Sequence, residues 1–171
     1  MTNNANKFSP KAQRLLAGRD QPLEPKAHQP LVEAEKPTIM VVDDTPQIGQ
    51  MLTQFLGRHN HEVISFTSGI KALNHLKTNL RAEGGTSEAV GLLLTDMNMP
   101  EMTGIELARQ AKILYPALPI IVMSGSVDGQ DRDEIFKLGV DFIPKPFDFV
   151  DLLKRINLRL PTVPAGAPFG V

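Results

Sequence analysis

The chain has 171 residues, 18 Lys/Arg against 19 Asp/Glu for a net charge of −1, 42% hydrophobic residues and no cysteine. This is enough for one domain with a core plus tails, and it excludes disulfides, thiolate metal sites and cysteine nucleophiles. Direct nucleic-acid binding through a broad basic surface has no support in this composition, no apolar run approaches the ~20 residues of a membrane span, and the opening MTNNANKFSP lacks the apolar stretch of a signal peptide, so a cytoplasmic location without membrane association is expected.

Residues 1–36 are rich in Asn, Gln, Pro, Lys and Ala and carry six Lys/Arg against four Asp/Glu, the composition of a flexible tail. Within them SPKAQRLLAG has helix signals: Ser9 as N-cap, Pro10 at the first position and Gly18 as stop. Two turns are too few for a helix to persist alone in water. TIMVV (38–42) is a first strand. Pro46 opens a helix with Ile48, Met51, Leu52, Phe55 and Leu56 on its expected buried face. EVISF (62–66) is a second strand, followed by a helix over 69–81 with Ile70, Leu73, Leu76 and Leu80 inward. VGLLLT (90–95), LPIIVM (118–123) and VDFI (140–143) supply three more strands. The helices TGIELARQAKILYP, GQDRDEIFKLG and FDFVDLLKRINLRL alternate with them. PTVPAGAPFGV (161–171) reads as a second flexible tail. Strict strand–helix alternation predicts an α/β, doubly wound, five-stranded parallel sheet with helices on both faces. The near-continuous apolar runs at 38–42, 92–94 and 119–123 suit its centre, and Pro144 suits an edge strand.

In such sheets ligands bind beyond the carboxyl ends of the strands. Asp43 and Asp44 follow the first strand, Asp96 the third, Ser124 the fourth and Lys145, between Pro144 and Pro146, the fifth. Taken singly, each is an ordinary turn or surface residue. Their joint placement on one rim is what carries meaning. Two carboxylates about 4 Å apart repel by ~4 kcal/mol at an effective dielectric near 20, so such a cluster calls for a cation or for shifted pKa values. An all-oxygen donor set favours Mg²⁺ or a similar hard ion. A fixed lysine and a hydroxyl can then meet phosphoryl oxygens, leaving Asp96 as a possible nucleophile forming an acyl phosphate.

VVDD, LLLTDMNMPEMTG, IIVMSG and DFIPKPF, in this order and spacing over about 37–160, resemble the signature blocks of response-regulator receiver domains, in the stand-alone form of chemotaxis regulators. The resemblance implies a receiver domain over 37–160 with the flavodoxin-like strand order 2-1-3-4-5. It implies Asp96 as phosphoacceptor, with Lys145 and Ser124 as the other catalytic groups. Mg²⁺ would be held by Asp44 directly, by Asp43 nearby or through water, by Asp96 and by the backbone carbonyl of Asn98. Ser124 and Phe142 would form the switch, and the Lys145–Pro146 bond would be cis. A sensor histidine kinase or phosphotransfer protein would donate phosphoryl, and a downstream protein would receive the signal. A separate turnover substrate, as for a true enzyme, is not expected.

Three features depart from the family pattern. The connection NLRAEGGTSEA (79–89) is long, Gly125 stands where alanine is common and should leave more room above Asp96, and no output domain is expected after the last helix. Met97, Met99 and Met102 read as local packing, and His28, His59, His61 and His75 as scattered surface residues. A receiver-like scaffold that binds partners irrespective of phosphorylation is the alternative; it has no need of the complete Asp/Asp/Asp/Ser/Lys set. An aspartyl-phosphate phosphatase of the haloacid dehalogenase type needs an acid two residues after the nucleophile, where this chain has Asn98. A nucleotide-binding protein would need a glycine-rich phosphate loop after the first strand.

Overall fold

The computed structural model describes residues 37–79, 90–125 and 129–160. The expected tails and most of the 79–89 connection lie outside these residues, as do the segment SPKAQRLLAG, Leu80 and His28. Five parallel strands form one sheet in the order β2-β1-β3-β4-β5. They are β1 (Thr38–Val42), β2 (Val63–Phe66), β3 (Val90–Asp96), β4 (Ile120–Ser124) and β5 (Asp141–Pro144). The helices are α1 (Pro46–Arg58), α2 (Gly69–Asn79), α3 (Gly104–Leu114), α4 (Gly129–Leu138) and α5 (Phe149–Arg159). No described helix is long and apolar enough to cross a membrane.

Alternation along the central strands feeds two separate cores, as a sheet covered on both faces requires. Met40, Val42, Leu93, Ile120 and Val122 pack on one face with Leu73 and Leu76 of α2, Ala108 and Ala111 of α3 and Ile135 of α4. Ile39, Val41, Leu92, Leu94, Ile121 and Met123 pack on the other with Leu52 and Leu56 of α1 and Leu152 and Ile156 of α5. β1 and β4 are buried throughout, and β3 at every residue but its first. The short β2 and β5 are the edges, as Pro144 suggested.

Two helix faces differ from expectation. Met51 is exposed, because the buried stripe of α1 runs through Gly49, Leu52 and Leu56, and residue 51 is turned about 100° from Leu52. Ile70 is also exposed. Its helix buries Gly69, Ala72, Leu73 and Leu76 instead, the two small residues drawing α2 close to its neighbours. A Cβ at Gly69 would already lie 3.2 Å from the Met102 side chain. Gly139, at φ +62°, ends α4 in the left-handed region that favours glycine. Of the three described histidines His59 is exposed as expected, whereas His75 is half-buried, bonded to Asn79 and against the Phe66 ring, and His61 is half-buried too.

Candidate functional site

Strand register brings the first two acids together. Val42 is paired with Thr95, so Asp43 and Asp96 leave their neighbouring strands side by side. Asp43 is held by its own N–H, which donates to the Phe66 carbonyl (3.1 Å), and by the Thr45 N–H, which donates to Asp43 Oδ1 (2.9 Å). Asp96 is framed by the Met97 N–H on the Met123 carbonyl (2.8 Å) and the Asn98 N–H on Asp96 Oδ2 (3.0 Å). Both carboxylates are buried.

Lys145 arrives from the far side of β4. Ser124 is paired with Pro144, and the Lys145 N–H donates to the Ser124 carbonyl at 2.7 Å. From there the side chain reaches across the end of β4, and the aspartate side chains close the rest of the gap between β5 and the strands beyond β4. Its Nζ donates to Asp96 Oδ1 (2.7 Å) and to Asp43 Oδ2 (2.9 Å). The Lys145–Pro146 peptide is cis. Burial by itself would push the ammonium's pKa down, but the bonds to Asp96 and Asp43 outweigh it and hold the pKa above a lysine's ordinary value. Every side-chain nitrogen or oxygen buried among the described residues has a partner.

The other expected site residues take different places. Asp44 is exposed beside the cluster, and so is Asn98. Ser124 is fully buried as the last residue of β4, where the sequence placed it just after the strand. Phe142 on β5 is half-buried against the core on the α2–α4 face. A Cβ at Gly125 would meet nothing within 4 Å.

Two supporting elements escaped the sequence reading. Gly104 permits the closest approach in the site: a Cβ there would lie 2.1 Å from the Asp96 carbonyl oxygen, while the Gly104 N–H donates to the Met97 carbonyl at 2.8 Å. The signal was the glycine at the start of TGIELA. Just before it, Thr103 and Glu106 form a capping box, the Glu106 N–H donating to Thr103 Oγ1 (3.2 Å) and the Thr103 N–H to Glu106 Oε2 (2.9 Å). The T-x-x-E spacing was its signal. These bonds, first that from the Thr103 backbone, hold the Glu106 pKa below its ordinary value.

Among the described residues no group of three or more His, Cys, Asp or Glu side chains closes on one point. A cation at this rim would draw on one or two of the Asp43, Asp44 and Asp96 carboxylates together with main-chain oxygen and water. That set fits Mg²⁺, which keeps several waters and takes one or two carboxylates.

Known proteins resemble this chain in sequence and fold. The family model for the response regulator receiver domain matches residues 39–157. Response regulator GtcR of Aneurinibacillus migulanus is 32% identical over 126 residues, 72% of this chain and 47% of the relative. Two-component response regulator ORR1 of Oryza sativa subsp. japonica is 33% identical over 126 residues, 70% of this chain and 53% of the relative. The chain thus spans about half the length of these two relatives. Among solved structures, a response regulator receiver protein from Pseudomonas putida is 29% identical with a TM-score of 0.64, covering 73% of this chain and 98% of that one. Chemotaxis protein CheY4 of Vibrio cholerae is 26% identical with a TM-score of 0.62, covering 73% and 99%. With the fold, the strand order and the sequence match in agreement, the chain belongs to the response regulator receiver domain family.

Proposed function

We propose that this chain is a phosphoacceptor of a two-component or phosphorelay system, modified on Asp96. One observation carries the reading: a single ammonium, anchored at its own backbone, lies within 2.9 Å of two buried carboxylates from different strands. An Asp96 carboxylate oxygen attacks the phosphorus of a donor phosphohistidine. The P–N bond breaks, the imidazole leaves and takes a proton, and an acyl phosphate forms on Asp96. Lys145 supplies a fixed positive charge to the phosphoryl oxygens as negative charge moves onto the site. Mg²⁺ would be held by Asp44 directly, by Asp43 nearby or through water, by Asp96 and by the Asn98 carbonyl, and would supply further neutralisation of phosphoryl charge. The donor is a sensor histidine kinase or phosphotransfer protein, and the receiver of the signal is a downstream protein.

The phosphoryl group brings negative charge and strong acceptor oxygens. It draws the Ser124 hydroxyl, and Phe142 follows, altering the face made by α4, β5 and α5. The chain catalyses only its own modification. The receiver unit spans 37–160, flanked by the two tails.

The test is incubation with Mg²⁺ and acetyl phosphate followed by intact-mass measurement. A single Mg²⁺-dependent phosphoryl adduct is expected, lost in Asp96→Asn and weakened in Asp44→Ala. An adduct that survives in Asp96→Asn sinks the assignment.

A further inference from the structure

Four aromatic rings form a continuous chain from the surface end of α1 to the loop that carries Lys145. The His59 and Phe55 ring centroids are 4.5 Å apart, Phe55 and Phe149 4.8 Å, and Phe149 and Phe147 5.7 Å with the last pair edge-on. These separations and tilts are those at which aromatic pairs attract beyond simple burial. The chain joins three parts of the fold: α1, the first turn of α5 and the turn after β5. His59 Nδ1 donates to the Phe55 carbonyl at 2.8 Å, which fixes the outer ring against the end of α1. Phe55, Phe147 and Phe149 are each half-buried against the core on the α1–α5 face.

Phe147 lies two residues beyond Lys145, at the far side of the turn that carries it. Pro144 and Pro146 are exposed. At its start the turn is pinned by the Lys145 N–H on the Ser124 carbonyl. At its end it is pinned by the Phe147 ring and by the Asp148 side chain, which accepts from the Val150 and Asp151 N–H groups and starts α5. The Lys145 ammonium is held within 2.9 Å of both acids from a backbone fixed in this turn, so a shift of the turn is passed along the side chain to both bonds.

We infer that Phe55, outside the carboxylate–lysine cluster, is a positioning residue for Lys145, acting through Phe149 and Phe147. The inference rests on the reading of Asp96 as phosphoacceptor for its effect on rate, but not for its effect on the lysine arm. Phe55→Leu keeps an apolar side chain and removes the ring. It slows adduct formation from acetyl phosphate by about threefold to tenfold, the factor expected from losing the Phe55–Phe149 pair, the one of its two ring pairs that leads toward Lys145. Phe55→Tyr, which restores a ring, returns the rate to near that of the parent. In a Lys145→Ala background Phe55→Leu makes no further difference. Without any phosphodonor, side-chain ¹³C relaxation of Lys145 shows a more mobile arm in Phe55→Leu and an ordered one in Phe55→Tyr. Phe149→Leu breaks the same chain from α5 and repeats the measurement should Phe55→Leu fail to fold.

An unchanged Lys145 relaxation in a folded Phe55→Leu chain overturns the proposal. So does equal slowing in the Lys145→Ala background, which marks Phe55 as packing only. If the parent chain takes no phosphoryl group, the proposed function fails, and the relaxation comparison alone decides this inference.

Discussion

The two ends of β5 carry opposite charges, and both are paired. At the start of the strand Asp141 accepts from Arg155 Nη1 (3.4 Å) and is ion-paired with Arg159 Nη2 (3.1 Å), while Arg155 Nε also donates to Asp151 (2.9 Å). Just past its end Lys145 donates to Asp43 (2.9 Å) and Asp96 (2.7 Å). The distances overlap; the surroundings do not. The Asp43 and Asp96 side chains are 1% and 9% exposed, whereas Asp141 and Asp151 are 18% and 51% exposed. Water screens the first network and lets its members exchange partners. The second network has little water to fall back on, so its geometry is held and its loss is costly. The difference locates the site at one end of the strand without reference to any partner.

The largest effect should come from Lys145→Ala. It leaves two buried carboxylates facing each other, and a loss of about 2–3 kcal/mol is expected in urea unfolding without divalent cation, somewhat below the cost for a fully buried pair because the ammonium is partly exposed. Adding Mg²⁺ should recover part of that loss, since a ligand of the folded state stabilises it by mass action. A loss under 0.5 kcal/mol, marked by about that resolution in typical surface variants, would erase the contrast between the two ends.

A smaller effect separates the networks by pH. The Lys145 pKa is raised in the folded chain, burial opposing and the Asp96 and Asp43 bonds prevailing. A raised folded pKa means that the pair's stabilisation is fully present below the unfolded lysine value of about 10.4 and is lost as pH rises through the folded value. The Tm gap between parent and Lys145→Ala should therefore be constant near neutral pH and narrow only in this alkaline range. Arg155 is also raised, chiefly by its bond to Asp151. A guanidinium stays charged throughout, so Arg155→Ala should shift Tm by an amount that does not change over the same pH range.

The smallest expected effect is that of Asp141→Asn. Breaking the exposed network should cost no more than about 1 kcal/mol and should shrink further at high salt. A salt-insensitive loss as large as that of Lys145→Ala would show that exposure is a poor guide here.

The alternation of strands and helices was legible in the sequence because each element carries its own signal: apolar runs for the central strands, Pro46 and Gly139 at helix ends, Pro144 at an edge. The set of residues on the rim was legible for the same reason, since a parallel sheet sends every strand's end to one side. Tertiary structure decided which of them meet. Asp43 turned inward to Lys145 while its neighbour Asp44 stayed exposed, an outcome set by the Thr45 and Phe66 bonds to residue 43 and by the pairing of Val42 with Thr95. Helical periodicity gave the spacing of the buried faces but not their angle to the sheet. Met51 and Ile70 thus turned outward once Gly49, Gly69 and Ala72 allowed closer packing on another side. The link from Lys145 to Asp43 joins residues 102 positions apart, and the ring chain joins Phe55 to a loop far along the sequence. Local pattern holds no record of such contacts, because they arise only when strand order and helix packing bring separate segments to the same place.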